Sequence, residues 1–173
     1  MFGADGRPLD VFSQTTEYAL RIVVYLASIG ERPATIAQIA LATRVPAGYL
    51  AKVLVSLSRA GIVRSQRGLH GGSVLARPAD DVTVYDVVQA VDPIVRITTC
   101  PLGLENHGVH LCPLHKRLDQ AIGTVEEAFR ASTIAELVAD PNPSKPLGEI
   151  PTLPATGLVP LKVLERAGGR RGK

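Results

Sequence analysis

A chain of 173 residues that is 46% hydrophobic has enough apolar material for one cored domain, and its net charge of only +3 leaves it near balance. No apolar run approaches the roughly 18–20 residues that cross a bilayer, and the opening MFGADGRPLD lacks a basic-then-apolar signal pattern, so a cytoplasmic chain with no membrane partner is expected. Two cysteines exclude a disulfide framework and leave thiol or metal chemistry.

Residues 1–12 contain Gly, Pro and Asp and read as a flexible leader. From Gln14 to Ser28, the apolar residues Ala19, Ile22, Val23, Leu26 and Ala27 mark an amphipathic helix, with Ser13 or Thr15 as its cap. Gly30 and Pro33 end it. A short apolar helix (Thr35–Ala42) and a tight connection through Thr43–Pro46 come next. A longer helix then runs from about Ala47 to Ala60, with Leu50, Val53, Leu54 and Leu57 on one face at the 3.6-residue period. Gly61 stops it. Ile62–Ser65 and Ser73–Ala76 read as two short strands around the Gly-rich turn Gln66–Gly72. Helix, turn, helix and hairpin make a winged helix-turn-helix, so the expected fold is mainly α with a small β-hairpin wing. That domain is placed at 13–92, closed by a short helix over Thr83–Val91 before Pro93.

Charge points the same way. Between Glu31 and Asp80 there is no acidic residue, while Arg32, Arg44, Lys52, Arg59, Arg64, Arg67 and Arg77 bring +7 to a chain whose net is +3. A one-signed segment joined to a helix-turn-helix is the footprint of a double-stranded DNA partner. The second helix of such a motif enters the major groove with its N-terminal residues on base edges. Here those are Ala47, Gly48 and Tyr49, with Lys52 one turn on. Arg67, at the wing tip between Gln66 and Gly68, suits a narrow minor groove, and Gly68, Gly71 and Gly72 supply the turn's backbone freedom. Thr35 and Arg59 complete the candidate DNA-binding set.

Residues 93–113 have no sustained periodicity and hold both cysteines, as a cysteine/histidine sensor loop. Pro113 suits the first turn of a long helix to about Ala131, and Thr133–Ala139 forms a last short helical turn; together 114–139 make a dimerisation unit. Leu114, Leu118, Ala121 or Ile122, Val125 and Phe129 recur along the long helix at spacings of three and four. A second copy of that helix is the economical cover for this stripe, which predicts a two-fold homodimer, although packing on the chain's own first helix remains open. Six of the 13 prolines fall between Pro141 and Pro160 and the end is Gly/Arg-rich, so 140–173 reads as a disordered, basic-ended tail. No phosphate-cradling glycine loop, nucleophile elbow or deaminase signature occurs, so an enzyme is not expected.

Cys100-x11-Cys112-x2-His115 places two soft thiols and an imidazole within 16 residues, a set that suits iron–sulfur, zinc or copper. His107 and His110 lie in the same loop. Thiol oxidation without metal, or a small-molecule sensor in the dimer interface, are the metal-free alternatives.

Four runs taken in order, EYALRIVVYLA, PAGYLAKVL, RGLHGGSVLARP and TVYDVVQAV, resemble the Rrf-type winged-helix regulators, the group that includes IscR, NsrR, RirA and CymR. The resemblance covers about residues 12–138. It implies a homodimer with crossed long helices on a partly palindromic operator, usually as a repressor, with Gly48, Tyr49, Lys52 and Arg67 at DNA-contacting positions. The wing departs from the usual Gly-Pro-Gly-Gly-Gly, with Leu69 and His70 in its middle. Laid on the group's cluster loop without a gap, CPLGLENHGVHLCPLH matches Cys100, Cys112 and His115 to three ligand positions and puts Asn106 where a central cysteine would stand. Glu17 matches an acidic ligand that some relatives supply from the partner's first helix. The resemblance therefore implies a labile 2Fe–2S cluster on Cys100, Cys112, His115 and Glu17, with His107 as the alternative fourth ligand and zinc or no metal as alternatives. Oxidation, nitrosylation or cluster loss would then move the helices and change DNA affinity.

Overall fold

The computed structural model describes residues 12–66, 71–100 and 110–142. Helix α1 spans Gln14–Ile29, and its cap is Ser13, whose Oγ accepts the Thr16 N–H at 3.2 Å; Thr15 lies inside the helix. Helix α2 (Ile36–Thr43) starts one residue later than its pattern suggests, because Thr35 stands outside it as the cap. The Thr35 hydroxyl accepts the Gln38 N–H while the Gln38 side chain accepts the Thr35 N–H, a reciprocal pair. Across Arg44–Pro46 the chain turns through 107° into α3 (Ala47–Arg59), the crossing expected of a helix-turn-helix.

Gly61, at φ +70°, ends this pair. The Ile62 N–H still closes the end of α3 on Leu57 O (3.0 Å), so β1 begins at Val63 and runs to Gln66. It pairs antiparallel with β2 (Gly72–Leu75), Val63 opposite Leu75 and Gln66 opposite Gly72. Both strands are thus displaced by one residue from the ranges that hydropathy suggests. A third segment, invisible in the hydropathy, joins this hairpin: Ala34 and Ser73 exchange both backbone hydrogen bonds, at 3.0 and 2.8 Å. Gly72 is needed for that approach. A Cβ there would sit 2.6 Å from Ala34 O and 2.7 Å from Ala34 C, both backbone atoms that cannot swing aside. Gly72→Ala is therefore expected to destabilise the protein by about 1–3 kcal/mol and to shift the wing, read by chemical denaturation and by reduced amide protection at Ser73.

A 3-10 turn at Ala79–Asp81 leads to α4 (Val84–Val91), α5 spans Pro113–Ala131, and α6 spans Ile134–Ala139. Capping boxes start α4 (Thr83 with Asp86) and α6 (Thr133 with Glu136). Although next to α5 in sequence, α6 returns to the winged-helix body. Its Ile134 is fully buried and donates to Val82 O at 2.8 Å. Ile22 and Leu26 of α1, Ile39 of α2, Leu50 and Leu57 of α3, and Ile62 form the centre of the same core, so α3 is held from beneath by side chains without solvent contact.

Helix α5 is different. It runs 19 residues without one buried side chain, and Leu114 and Leu118 are 63% and 47% exposed. Its far end does meet the start of α1, where Phe12 and Phe129 lie with ring centroids 5.2 Å apart. Between α1, α4 and α5 a cavity of about 500 Å³ is lined by Phe12, Val88, Ile97, Leu118, Ile122 and Val125. Packing within the chain, chiefly on α4 and on Phe12 ahead of α1, thus covers part of the stripe and leaves the Leu114–Leu118 end open. Among the described residues no single helix is long and apolar enough to cross a membrane.

Candidate nucleic-acid interface and thiol centre

The face of α3 turned from the core carries Ala47, Gly48, Tyr49, Lys52 and Arg59, all exposed. Pro46 is the N-cap and supplies no side-chain hydrogen bond. The Pro46 carbonyl accepts Tyr49 N–H at 2.9 Å, while the Ala47 and Gly48 amides stand at the positive end of the helix, where a phosphate oxygen is favoured. Tyr49 is steadied from below by Tyr18 of α1, ring to ring at 5.7 Å and 74°. Gly48 has nothing within 4 Å of where a Cβ would be, so internal packing does not require its lack of a side chain. Gly48→Ala is expected to leave the fold intact or more stable by about 0.5–1 kcal/mol while weakening DNA binding. Thermal unfolding and fluorescence anisotropy on the same sample separate the two effects; equal DNA affinity would mean that no close backbone approach occurs at Gly48.

The cations divide into two kinds. Among the described residues Arg44, Lys52, Arg59 and Arg64 are exposed and enter no ion pair. Arg77 is engaged by Asp86 of α4 at 3.2 Å and by Asp81 O at 2.9 Å, so one of the seven charges counted in the basic segment is balanced internally. Arg44 occupies the left-handed region (φ 56°, ψ 25°) at the end of α2, a conformation that costs a non-glycine residue about 1–2 kcal/mol. The helix-turn-helix corner thus carries a cation where glycine would fit more easily. Thr35 is exposed, with its hydroxyl in the α2 cap. Gly71 precedes β2. Arg67, Gly68, Leu69 and His70 lie outside the described residues, as do Asn106 and His107, the 1–11 leader and the tail from 143.

The sensor loop places three of its expected ligands together. Cys112 is the N-cap of α5 and His115 lies in the first turn, so the spacing of three puts both on one face. Cys112 Sγ is 3.3 Å and Cys100 Sγ 4.0 Å from His115 Nδ1. Cys100 is buried, Cys112 is half-buried, and no disulfide joins them. For a thiolate and an imidazole on one tetrahedral metal, bond lengths of about 2.3 and 2.0 Å put sulfur and nitrogen roughly 3.5 Å apart; the two observed separations bracket that value. The donors do not close into a complete set, however: among the described residues no group of three or more His, Cys, Asp and Glu side chains reaches metal-binding geometry. Glu17 is not with them. It is ion-paired to Arg21 on its own helix, and Arg21 also donates to Thr43 O at 3.3 Å, where the helix-turn-helix corner begins.

A family profile described as "Rrf2: Iron-dependent Transcriptional regulator" matches residues 12–140. The chain belongs to the Rrf2 family. Protein aau3 of Rhizobium meliloti (strain 1021) is 35% identical over 134 residues, covering 73% of this chain and 83% of its own. Among solved structures, the chain is similar to CymR (YrzC), the global cysteine regulator of B. subtilis, at 27% identity and a TM-score of 0.62, covering 76% of this chain and 98% of that one. T. potens IscR, at 23% identity and a TM-score of 0.63, shares the fold over 81% of this chain and 92% of its own. As an Rrf2 protein the chain is a DNA-binding transcriptional regulator and not an enzyme. Two features of this Rrf2 chain escape a reading of the sequence: the left-handed Arg44 and the Tyr18–Tyr49 contact. Arg44 leaves a trace there as the lone cation in the turn, whereas the Tyr18 contact leaves none, since α1 and α3 meet only on folding.

Proposed function

We propose that this Rrf2 regulator is a cytoplasmic homodimer that represses transcription from a partly palindromic operator and is switched at Cys100 and Cys112. The observation that carries the switch is the convergence of both thiols on His115. In this reading Ala47, Gly48, Tyr49 and Lys52 meet the major groove, Thr35 and Arg59 flank them, and the wing residues Arg67, Gly68 and Gly71 approach the minor groove. The open apolar end of α5 supports pairing with a second copy.

Cys100, Cys112 and His115 would hold a 2Fe–2S cluster, completed by Glu17 of a second copy or by His107. Such a cluster supplies a redox- and nitrosylation-sensitive group, made labile by its nitrogen and oxygen ligands. Recruiting Glu17 takes it from Arg21, and Arg21 is also bonded to the corner carbonyl of Thr43, so ligand occupancy has a physical route to α3. A second reading, a metal-free switch driven by thiol oxidation or by an apolar small molecule, is supported by the similarity to the cysteine regulator CymR and by the cavity beside Leu118. The spectrum of protein purified without oxygen, with iron, sulfide and zinc assayed together, separates them. Visible charge-transfer absorbance with equal iron and sulfide is expected. A colourless protein with stoichiometric zinc makes the loop structural; one that stays metal-free after cluster reconstitution leaves the metal-free switch.

A further inference from the structure

The stretch between α4 and Cys100 is not simply a connection. It is fastened to α5 at Arg96. Asp119 Oδ1 accepts from Arg96 Nε at 2.7 Å, Asp119 Oδ2 accepts from Nη2 at 2.6 Å, and the Ile97 N–H also donates to Oδ1 at 3.0 Å. The remaining arm, Nη1, reaches Glu126 Oε2 at 3.3 Å. Between these carboxylates the guanidinium lies over Gly123, where an added Cβ would come 3.0 Å from Nη1 and 3.2 Å from Cζ. His115, Asp119, Gly123 and Glu126 recur at spacings of four, four and three, so they form one stripe on α5. The connector runs against that stripe in the opposite sense, with Arg96 on Asp119 and Glu126, and Cys100 on His115. At its far end the stripe meets the winged helix. Glu126 Oε1 accepts from Tyr85 of α4 at 3.4 Å, and Arg130 lies 3.4 Å above the Tyr85 ring.

We propose that Arg96 is the positioning residue of the thiol centre: by tying the connector to α5 it holds Cys100 against His115. Through Glu126 and Tyr85 the same tie reaches α4, so the centre is anchored to the winged helix. The Arg96 hydrogen bonds hold the Asp119 carboxyl below its ordinary range, so the ion pair, present at neutral pH in any case, persists further into acid. Cys112 needs no such tie, since it belongs to α5 itself.

This inference rests on reading Cys100 and His115 as the sensing centre. Cys100 is buried, so its alkylation requires the connector to open, and its rate reports that opening. In the full chain, iodoacetamide labelling followed by peptide mass spectrometry gives separate rates for the two cysteines. Arg96→Met is expected to label at Cys100 about tenfold faster or more, as loss of a charge-assisted fork implies, with Cys112 unchanged. Asp119→Asn should match it, and the double variant should be no faster than either. Gly123→Ala, which displaces the guanidinium without removing a charge, should give a smaller increase, and Arg96→Lys should restore the wild-type rate only in part. Unchanged Cys100 labelling in Arg96→Met and Gly123→Ala overturns the proposal. So does equal acceleration at both cysteines, which would mark general loosening of the fold. The reading beneath it fails separately: if wild-type protein alkylated at Cys100 binds a duplex selected from a random pool as tightly as before, Cys100 is not a sensor, whatever Arg96 does to its rate.

Discussion

Leu118→Asp is expected to yield a monomer whose affinity for a palindromic duplex falls by about 10²–10⁴-fold. Leu118 is 47% exposed in the single chain, so a carboxylate there leaves the monomer's own core largely untouched. In a pair of α5 helices the same carboxylate would be buried against apolar side chains without a cation, at a cost of several kcal/mol per copy. Without the pair, the effective-concentration advantage by which the second half-site is bound once the first is engaged disappears. Sedimentation equilibrium reads the mass, and anisotropy with whole-site and half-site duplexes reads the affinity. A variant that sediments like wild type would show that the open end of α5 is not the dimer contact.

Removing the exposed cations Arg44, Lys52, Arg59 and Arg64 together, each to Ala, is expected to cost about a thousandfold or more in DNA affinity at physiological salt. Each cation that neutralises a phosphate contributes roughly 0.9 to the slope of log K against log salt, so the slope should flatten by that amount for every phosphate left without its cation. Stability should hold, because none of the four forms an ion pair among the described residues, and Ala at 44 keeps the Cβ that sets the left-handed cost, so that cost is unchanged. Arg77→Ala is the matched control. Its charge is already met by Asp86, so it should disturb α4 and leave the salt slope nearly unchanged. A quadruple variant with the wild-type slope would place the DNA on another face.

The winged helix was legible because each of its parts has a local cause. The Leu50–Leu57 stripe and the stop at Gly61 act within a few residues of chain, whereas Thr35, Thr83 and Thr133, which the pattern places inside their helices, stand just outside as caps. Strand ranges slipped by one residue because the Ile62 N–H is claimed by the end of α3, which leaves Ile62 and Ala76 joined only by the Ala76 N–H to Ile62 O bond at 2.9 Å, a competition that hydropathy does not express. Gly72 was readable as a turn glycine, yet its lack of a side chain is required by Ala34, which reaches it only in the folded chain.

The thiol centre divides along the same line. The spacing of three residues, with Pro113 starting the helix, was enough to join Cys112 to His115, since one helical turn brings them to the same face. Cys100 arrives from outside that turn, and its approach depends on where the connector lies on α5. The sequence by itself determined the helices, the acid-free basic segment and membership of the Rrf2 family, all encoded in residue type and short-range order. Only the tertiary structure decided that Arg77 is already balanced by Asp86, that Arg21 also reaches the Thr43 carbonyl, and that Arg96 fastens the connector, because those pairings join residues that are distant until the chain has packed.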